Sequence, residues 1–288
     1  MTKKQNKRVT GKEQYYTPPN TAKICFDTIA SRLPSDKNIV WLEPAGGTGS
    51  FIDVIQTNGY SNIISYDIDP KHPRVKPTLD FLNEDLGNLK NCVTLTNPPF
   101  GRANKLSVPF FNKCATVSDY IGFLVPKSWR KWTVINRLDL RFHLIEDLDL
   151  DVDFIYDNDT DKKSKGKLNT IFQVWEKREY KRKKISVEDR KYITKTSPDK
   201  ADVSLTIFGR GCGKVKTEFP RVPNTTQMFL KLNNDWVLDA LMNVDFSRFY
   251  NNVAFVEALS IQEINYLLND YHDKNLDSRL LDKSTEVC

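Results

Sequence analysis

From residue 38 onward, short apolar runs alternate with amphipathic ones. Ile39-Val40-Trp41-Leu42 reads as a buried strand, Gly46-Gly47-Thr48-Gly49 as a turn and Phe51–Thr57 as a helix. Ile63-Ile64-Ser65-Tyr66, Cys92–Thr96 and Tyr120–Val125 continue the series of strands. Strands separated by helical connections predict an α/β fold, a parallel sheet with helices on both faces. Upstream, Thr17-Pro18-Pro19 predicts a helix start with Thr17 as N-cap, and Ile24, Ile29, Ala30 and Leu33 give that helix its apolar face. Beyond residue 150 the pattern changes. A polar run at 157–167 (DNDTDKKSKGK) precedes the strand-like Leu168–Glu176, a basic stretch over 177–200, and a strand at Val203–Phe208 ending in the turn Gly209–Lys214. Ser260-Ile261-Gln262-Glu263 reads as a capping box opening a C-terminal helix through Ile264, Leu267 and Leu268. The composition shift predicts a first domain over residues 1–178 and a C-terminal region over 179–288.

Composition narrows the class. The chain has 288 residues, 39% of them hydrophobic, enough for a packed core rather than a disordered chain. A formal net charge of +6 suits a polyanionic partner, because Lys and Arg displace condensed counterions from phosphates. Five cysteines, unclustered and without a CxxC pair, read as reduced thiols of an intracellular protein and predict no metal site. The basic N-terminus is not followed by an apolar segment, and no run approaches the roughly 18 apolar residues of a membrane span, so neither secretion nor a membrane is expected.

Three motifs carry chemistry. Glu43-Pro44-Ala45-Gly46-Gly47-Thr48-Gly49 joins strand to helix with glycines that let backbone approach a ligand, yet it matches neither GxGxxG nor a phosphate loop. About 20 residues on, at a strand end, Asp67 is placed to accept hydrogen bonds from ribose hydroxyls. A plain connecting turn and a turn-forming Asp are the competing readings. Asn97-Pro98-Pro99-Phe100 follows the strand Cys92–Thr96 directly. Two prolines stiffen the segment, so that the Asn97 side chain and the Pro98 carbonyl face one point. Two converging acceptors suit an exocyclic amine with its two N–H donors, and Phe100 offers a flat face to a base.

In this order the motifs resemble the gamma-type N6-adenine methyltransferases of restriction-modification systems. Gln14-Tyr15-Tyr16-Thr17-Pro18-Pro19 looks like the N-terminal cofactor motif of that family, EPAGGTGSF (43–51) like its glycine motif, and Asn97–Phe100 like its catalytic tetrapeptide. Asp80-Phe81-Leu82 resembles the segment meeting the cofactor's adenine, with Asp85 a rival. The resemblance covers roughly residues 12 to 178. It implies the Rossmann-like sheet of class I methyltransferases, S-adenosylmethionine as cofactor, and transfer to the N6 amine of a flipped adenine in DNA. Tyr16, Thr17, Pro18, Glu43, Ala45, Gly46, Gly47, Gly49, Asp67, Ile68, Asp80, Phe81 and Asn97 would bind the cofactor. Asn97, Pro98, Pro99 and Phe100 would carry catalysis. Phe100 and Trp175, with Phe172 second, would stack on the target base. A companion restriction nuclease or recognition subunit is the partner class it implies.

Lys181, Arg182, Lys183, Lys184, Arg210 and Lys214 are the expected nucleic-acid contacts, although a solvated helix face and a hairpin turn explain the same residues. The alternating Asp147, Asp149, Asp151 and Asp153 read as a strand with one solvated face, since the Gly of a calcium loop is missing. Three alternatives stay open: an RNA adenine methyltransferase, a protein-glutamine methyltransferase sharing the NPP[YF] motif, and a non-catalytic binding subunit.

Overall fold

The computed structural model describes residues 15–36, 38–156 and 167–285. The basic segment 1–12, Glu13, Gln14, the polar run up to residue 166 and Cys288 lie outside the described residues. The chain divides into two compact units, one of residues 1–129 and 133–184, the other of residues 130–132 and 185–288.

The first unit is an α/β fold around a seven-stranded sheet. Its strands are β1 (Val40–Glu43), β2 (Ile63–Asp67), β3 (Lys76–Pro77), β4 (Cys92–Thr96), β5 (Ser118–Pro126), β6 (Phe142–Leu150) and β7 (Thr170–Lys177). They lie in the order β3-β2-β1-β4-β5-β7-β6. The pairs from β3 to β5 are parallel, as expected. The Leu168–Glu176 run, whose direction the sequence left open, becomes β7 and makes the sheet mixed: it runs antiparallel between β5 and β6. No helix separates β6 from β7 among the described residues, so the chain reverses beside the strand it has just left.

Helices cover both faces, and α2 (Ser50–Thr57) follows the glycine turn after β1. Gly122 of β5 presents bare backbone to α1 (Pro19–Ala30); a Cβ there would stand 3.0 Å from Ile29. Its neighbour Phe123 points the other way, edge-on to Phe111 of α3 (Ser107–Cys114) at 5.5 Å. Two details of α1 differ from expectation. Its N-cap is Pro18, because the Thr17 hydroxyl is engaged elsewhere, and its buried face is Ala22, Cys25, Phe26 and Ile29. Ile24 lies off that 3.6-residue stripe and is exposed. β6 forms the sheet edge, and its acidic positions Asp147 and Asp149 are exposed. That charge opposes further pairing along an open edge.

The second unit is built on an antiparallel sheet of order β10-β9-β11-β8, from β8 (Ile193–Lys195), β9 (Val203–Thr206), β10 (Val215–Lys216) and β11 (Gln227–Leu232). Val203, Leu205 and Leu230 pack with Leu241 and with Ile264, Leu267 and Leu268 of the C-terminal helix Ile261–Thr285. The turn Gly209–Lys214 is the connection of the β9–β10 hairpin, with Arg210 and Lys214 exposed on it. The capping box forms as predicted. The Glu263 carboxylate takes the backbone N–H of Ser260 at 2.8 Å, and the Ser260 hydroxyl accepts from the Glu263 N–H at 3.3 Å. Lys131 completes the charge balance at 2.7 Å from the same buried carboxylate. Ser260→Ala is expected to destabilise this unit by about 1 kcal/mol, the usual loss of an N-cap, read as a lower urea midpoint. Among the described residues, no helix is long and apolar enough to cross a membrane.

Candidate active site

Glu43, Asp67 and Asn97 stand at or just beyond the C-terminal ends of β1, β2 and β4, where an open parallel sheet leaves a crevice. A cleft of about 280 Å³ opens there. Of the residues expected to contact cofactor or substrate, Tyr16, Ala45, Gly47, Asp67, Ile68, Asp80, Phe81, Asn97, Pro98 and Pro99 line it.

The glycine turn is fixed from several sides. The N–H of Gly47 donates to Asp67 Oδ2 at 2.8 Å, and the N–H of Asp69 to Oδ1 at 2.7 Å, so the carboxylate is oriented by two backbone donors. Gly47 has φ +45°, and Gly49, at φ +87°, leaves room for the His72 ring, which a Cβ would meet at 2.5 Å. Both positions require glycine, one for its backbone and one also for the close approach. Ile68 and Leu79 hold apolar surface open over this end of the cleft, at 58% and 95% exposure. Asp80 lines the cleft while its side chain also caps the turn at Leu82; Asp85 caps Gly87 and is not part of the lining.

At the other end, Asn97 is held by its nitrogen. Nδ2 donates to the Tyr15 carbonyl at 2.6 Å and to Thr17 Oγ1 at 3.2 Å. A carbonyl only accepts, so the nitrogen is the end that faces Tyr15. Oδ1 is then left as a buried acceptor without a partner among the described residues. An orphaned buried acceptor has a desolvation cost of about 1–3 kcal/mol, which a donor entering the cleft relieves. The segment that anchors Asn97 is itself pinned: Tyr16 and Ile155 exchange backbone hydrogen bonds at 3.0 and 2.9 Å.

Several expected site residues serve differently. Glu43 is 1% exposed and lies outside the cleft lining. One oxygen accepts from the N–H of Ala45 at 3.0 Å and from the Thr96 hydroxyl, so Glu43 joins the glycine turn to the residue before Asn97. Burial pushes its carboxyl up to about 8, opposed by those two hydrogen bonds and reinforced by the Asp67 charge. Thr17 and Pro18 flank the site rather than line it, and Gly46 packs on Ser65 beneath the turn. Phe100 is buried with its ring 5.5 Å from that of Tyr15, outside the lining.

Trp175 is not a base-stacking residue here. It is 1% exposed in the core beside Phe111, its indole N–H directed to Gln173 at 3.3 Å. Phe172 is fully buried as well. Arg182 is half-buried and turned towards the protein. Its guanidinium donates to the carbonyls of Phe142, Ile135 and Leu138, at 3.0, 2.6 and 3.2 Å, and lies over the Trp175 ring. Lys181, Lys183 and Lys184 are exposed. The rings that the sequence did not single out are Phe154 and Tyr156, which gather on Tyr15 of the N-terminal motif. Tyr15 lines the cleft and meets Phe154 at 5.3 Å and Tyr156 at 5.7 Å. Residues that far apart in sequence leave no periodic signal of their contact.

No family model matches the chain. The Type II methyltransferases M.HincII and M.HindII of Haemophilus influenzae are each 31% identical over 97 residues, covering 33% of this chain and 18% of theirs. Among solved structures, PH1948 of Pyrococcus horikoshii is 16% identical with a TM-score of 0.46, over 58% of this chain and 88% of that one. TrmN of Thermus thermophilus is 15% identical with a TM-score of 0.38, over 55% and 48%. The solved structures add nothing to the topology above. The curated relatives make a third of this chain similar to a small part, under a fifth, of two Type II methyltransferases.

Proposed function

We propose that the chain is an S-adenosylmethionine-dependent methyltransferase acting on the exocyclic N6 amine of adenine in DNA. The observation that carries this reading is Asn97 Oδ1, a buried acceptor lacking a partner among the described residues, beside a cleft that also holds a glycine turn and an oriented carboxylate. The Type II methyltransferase relatives support the same class.

The residues present fit the cofactor. Asp67 retains lone pairs beyond its two backbone bonds for ribose hydroxyls. Ile68 and Leu79 offer apolar faces to an adenine ring, and Asp80 a polar edge. When bound, S-adenosylmethionine supplies an electrophilic methyl on its sulfonium. Asn97 Oδ1 accepts one N–H of the target amine, and the Pro98 carbonyl the second. Drawing on both protons turns the nitrogen lone pair out of ring conjugation and towards the electrophile. Tyr15 and the proline pair exclude water and hold the base in place, so proximity and orientation lower the barrier. The base reaches the cleft by flipping from its stack. Catalysis falls to the first unit and target contacts to the second, through exposed Arg210 and Lys214. A companion recognition or nuclease subunit fits this assignment.

Incubation with methyl-labelled cofactor and either duplex DNA or structured RNA tests the reading. Label on N6 of adenine in DNA is expected; label confined to RNA or to a protein glutamine sinks it. Asp67→Ala is expected to weaken cofactor binding by about 10- to 100-fold in calorimetry, as for one lost charge-assisted hydrogen bond. Unaltered affinity would reassign the ribose contact.

A further inference from the structure

A second cleft, of about 560 Å³, lies in the first unit and shares no lining residue with the active site. Four cations, Arg137, Arg141, Lys181 and Lys184, face a single carboxylate, Asp139. That carboxylate is already committed. Both its oxygens are taken by Arg141, at 3.2 and 2.7 Å, and the guanidinium holds it below the usual carboxylate range. The cleft therefore keeps a surplus of positive charge.

Its geometry is set in advance. Asn112 brackets the turn that builds it, accepting from the N–H of Asp139 at 2.8 Å and donating to the Arg137 carbonyl at 3.0 Å. Arg141 is aimed by Asp139. Arg137 is aimed by two carbonyls, that of Thr133 at 3.1 Å and that of Ala103 at 3.2 Å. Half-buried Arg182 ties the irregular segment after β7 to this turn, its N–H donating to the Leu140 carbonyl at 2.8 Å, which sets exposed Lys181 and Lys184 at the rim. Fixed guanidinium planes with exposed ammoniums beside them suit tetrahedral phosphate oxygens. The contact with Ala103 brings the cleft up to the turn that follows Phe100, where Arg102 and Lys105 are exposed. Cations thus continue from the catalytic tetrapeptide to the second cleft.

We infer that this cleft seats backbone phosphates of the DNA flanking the target adenine. The inference rests on the nucleic-acid reading of the active site, but its readout is binding and not turnover. The test compares the parent with Lys181→Gln/Lys184→Gln, using a fluorescent duplex followed by anisotropy across a salt series, and cofactor binding by calorimetry. The variant is expected to bind duplex about tenfold more weakly at low salt. Its slope of log affinity against log salt should be shallower by about 2, one for each phosphate contact removed. Cofactor affinity should be unchanged, which also shows that the unit remains folded. Equal duplex affinity and equal slope in parent and variant overturn the assignment. So does a cleft that binds inorganic pyrophosphate in the parent, loses it in the variant, and leaves duplex binding untouched. Absence of methyl transfer by the parent, with the duplex defect intact, would instead refute the proposed activity alone.

Discussion

Asn97→Ala is expected to lower methyl transfer at least ~100-fold while the cofactor still binds, as for loss of a positioned transition-state group. That factor corresponds to about 2.7 kcal/mol. It is the scale of one buried hydrogen bond that strengthens as the amine nitrogen becomes cationic. The structure makes the substitution clean. Only the amide leaves, and its nitrogen anchors to Tyr15 and Thr17 rather than to the glycine turn. The main chain of the anchoring segment keeps its own tie at Ile155. Single-turnover transfer of labelled methyl to duplex DNA measures the first quantity, and calorimetry the second. Turnover equal to that of the parent would remove Asn97 from the chemistry. Loss of cofactor binding would make it a structural residue of the cleft.

The sequence made the C-terminal strand ends legible because β1, β2 and β4 are short apolar runs, each followed by a residue whose chemistry stands out. The direction of β7 was not legible. Six successive positions from Thr170 to Trp175 are buried, so the run has no polar face from which to read its place in the sheet. The same feature misdirected the choice of Trp175. On a strand buried on both faces, an aromatic ring reads alike whether it meets a ligand or α3. Arg182 misled for a related reason. Its charge stands among Lys181, Lys183 and Lys184, and only the folded chain reveals three carbonyls around it. Thr17 looked like a helix cap because Ser and Thr before Pro usually are, and its actual partner is 80 residues away. The packing of Phe154 and Tyr156 against Tyr15 was invisible for want of any local pattern.

Glu43→Gln is expected to flatten the pH dependence of stability and to leave the variant the more stable protein above neutral pH. In the folded chain burial holds the carboxyl near 8, whereas unfolding returns it to about 4.5. Between those values the folded state binds the proton that the unfolded state has released, so stability falls as pH rises. The slope is about 1.4 kcal/mol per pH unit, and the full span is on the order of 4 to 5 kcal/mol. The contribution is fully present below pH 4.5 and gone once the pH has passed through 8. One oxygen accepts from Ala45 and Thr96, while Oε2 has no partner among the described residues. An amide reproduces that arrangement, with its oxygen facing the two donors and its nitrogen in place of Oε2, and it does not ionise. Other titrations are common to parent and variant and cancel in their difference. Urea unfolding of both proteins from pH 5 to 9 reads that difference directly. Two parallel curves would show that Glu43 keeps an ordinary carboxylate beneath the glycine turn, and the joint between the turn and Asn97 would then be an ionic one.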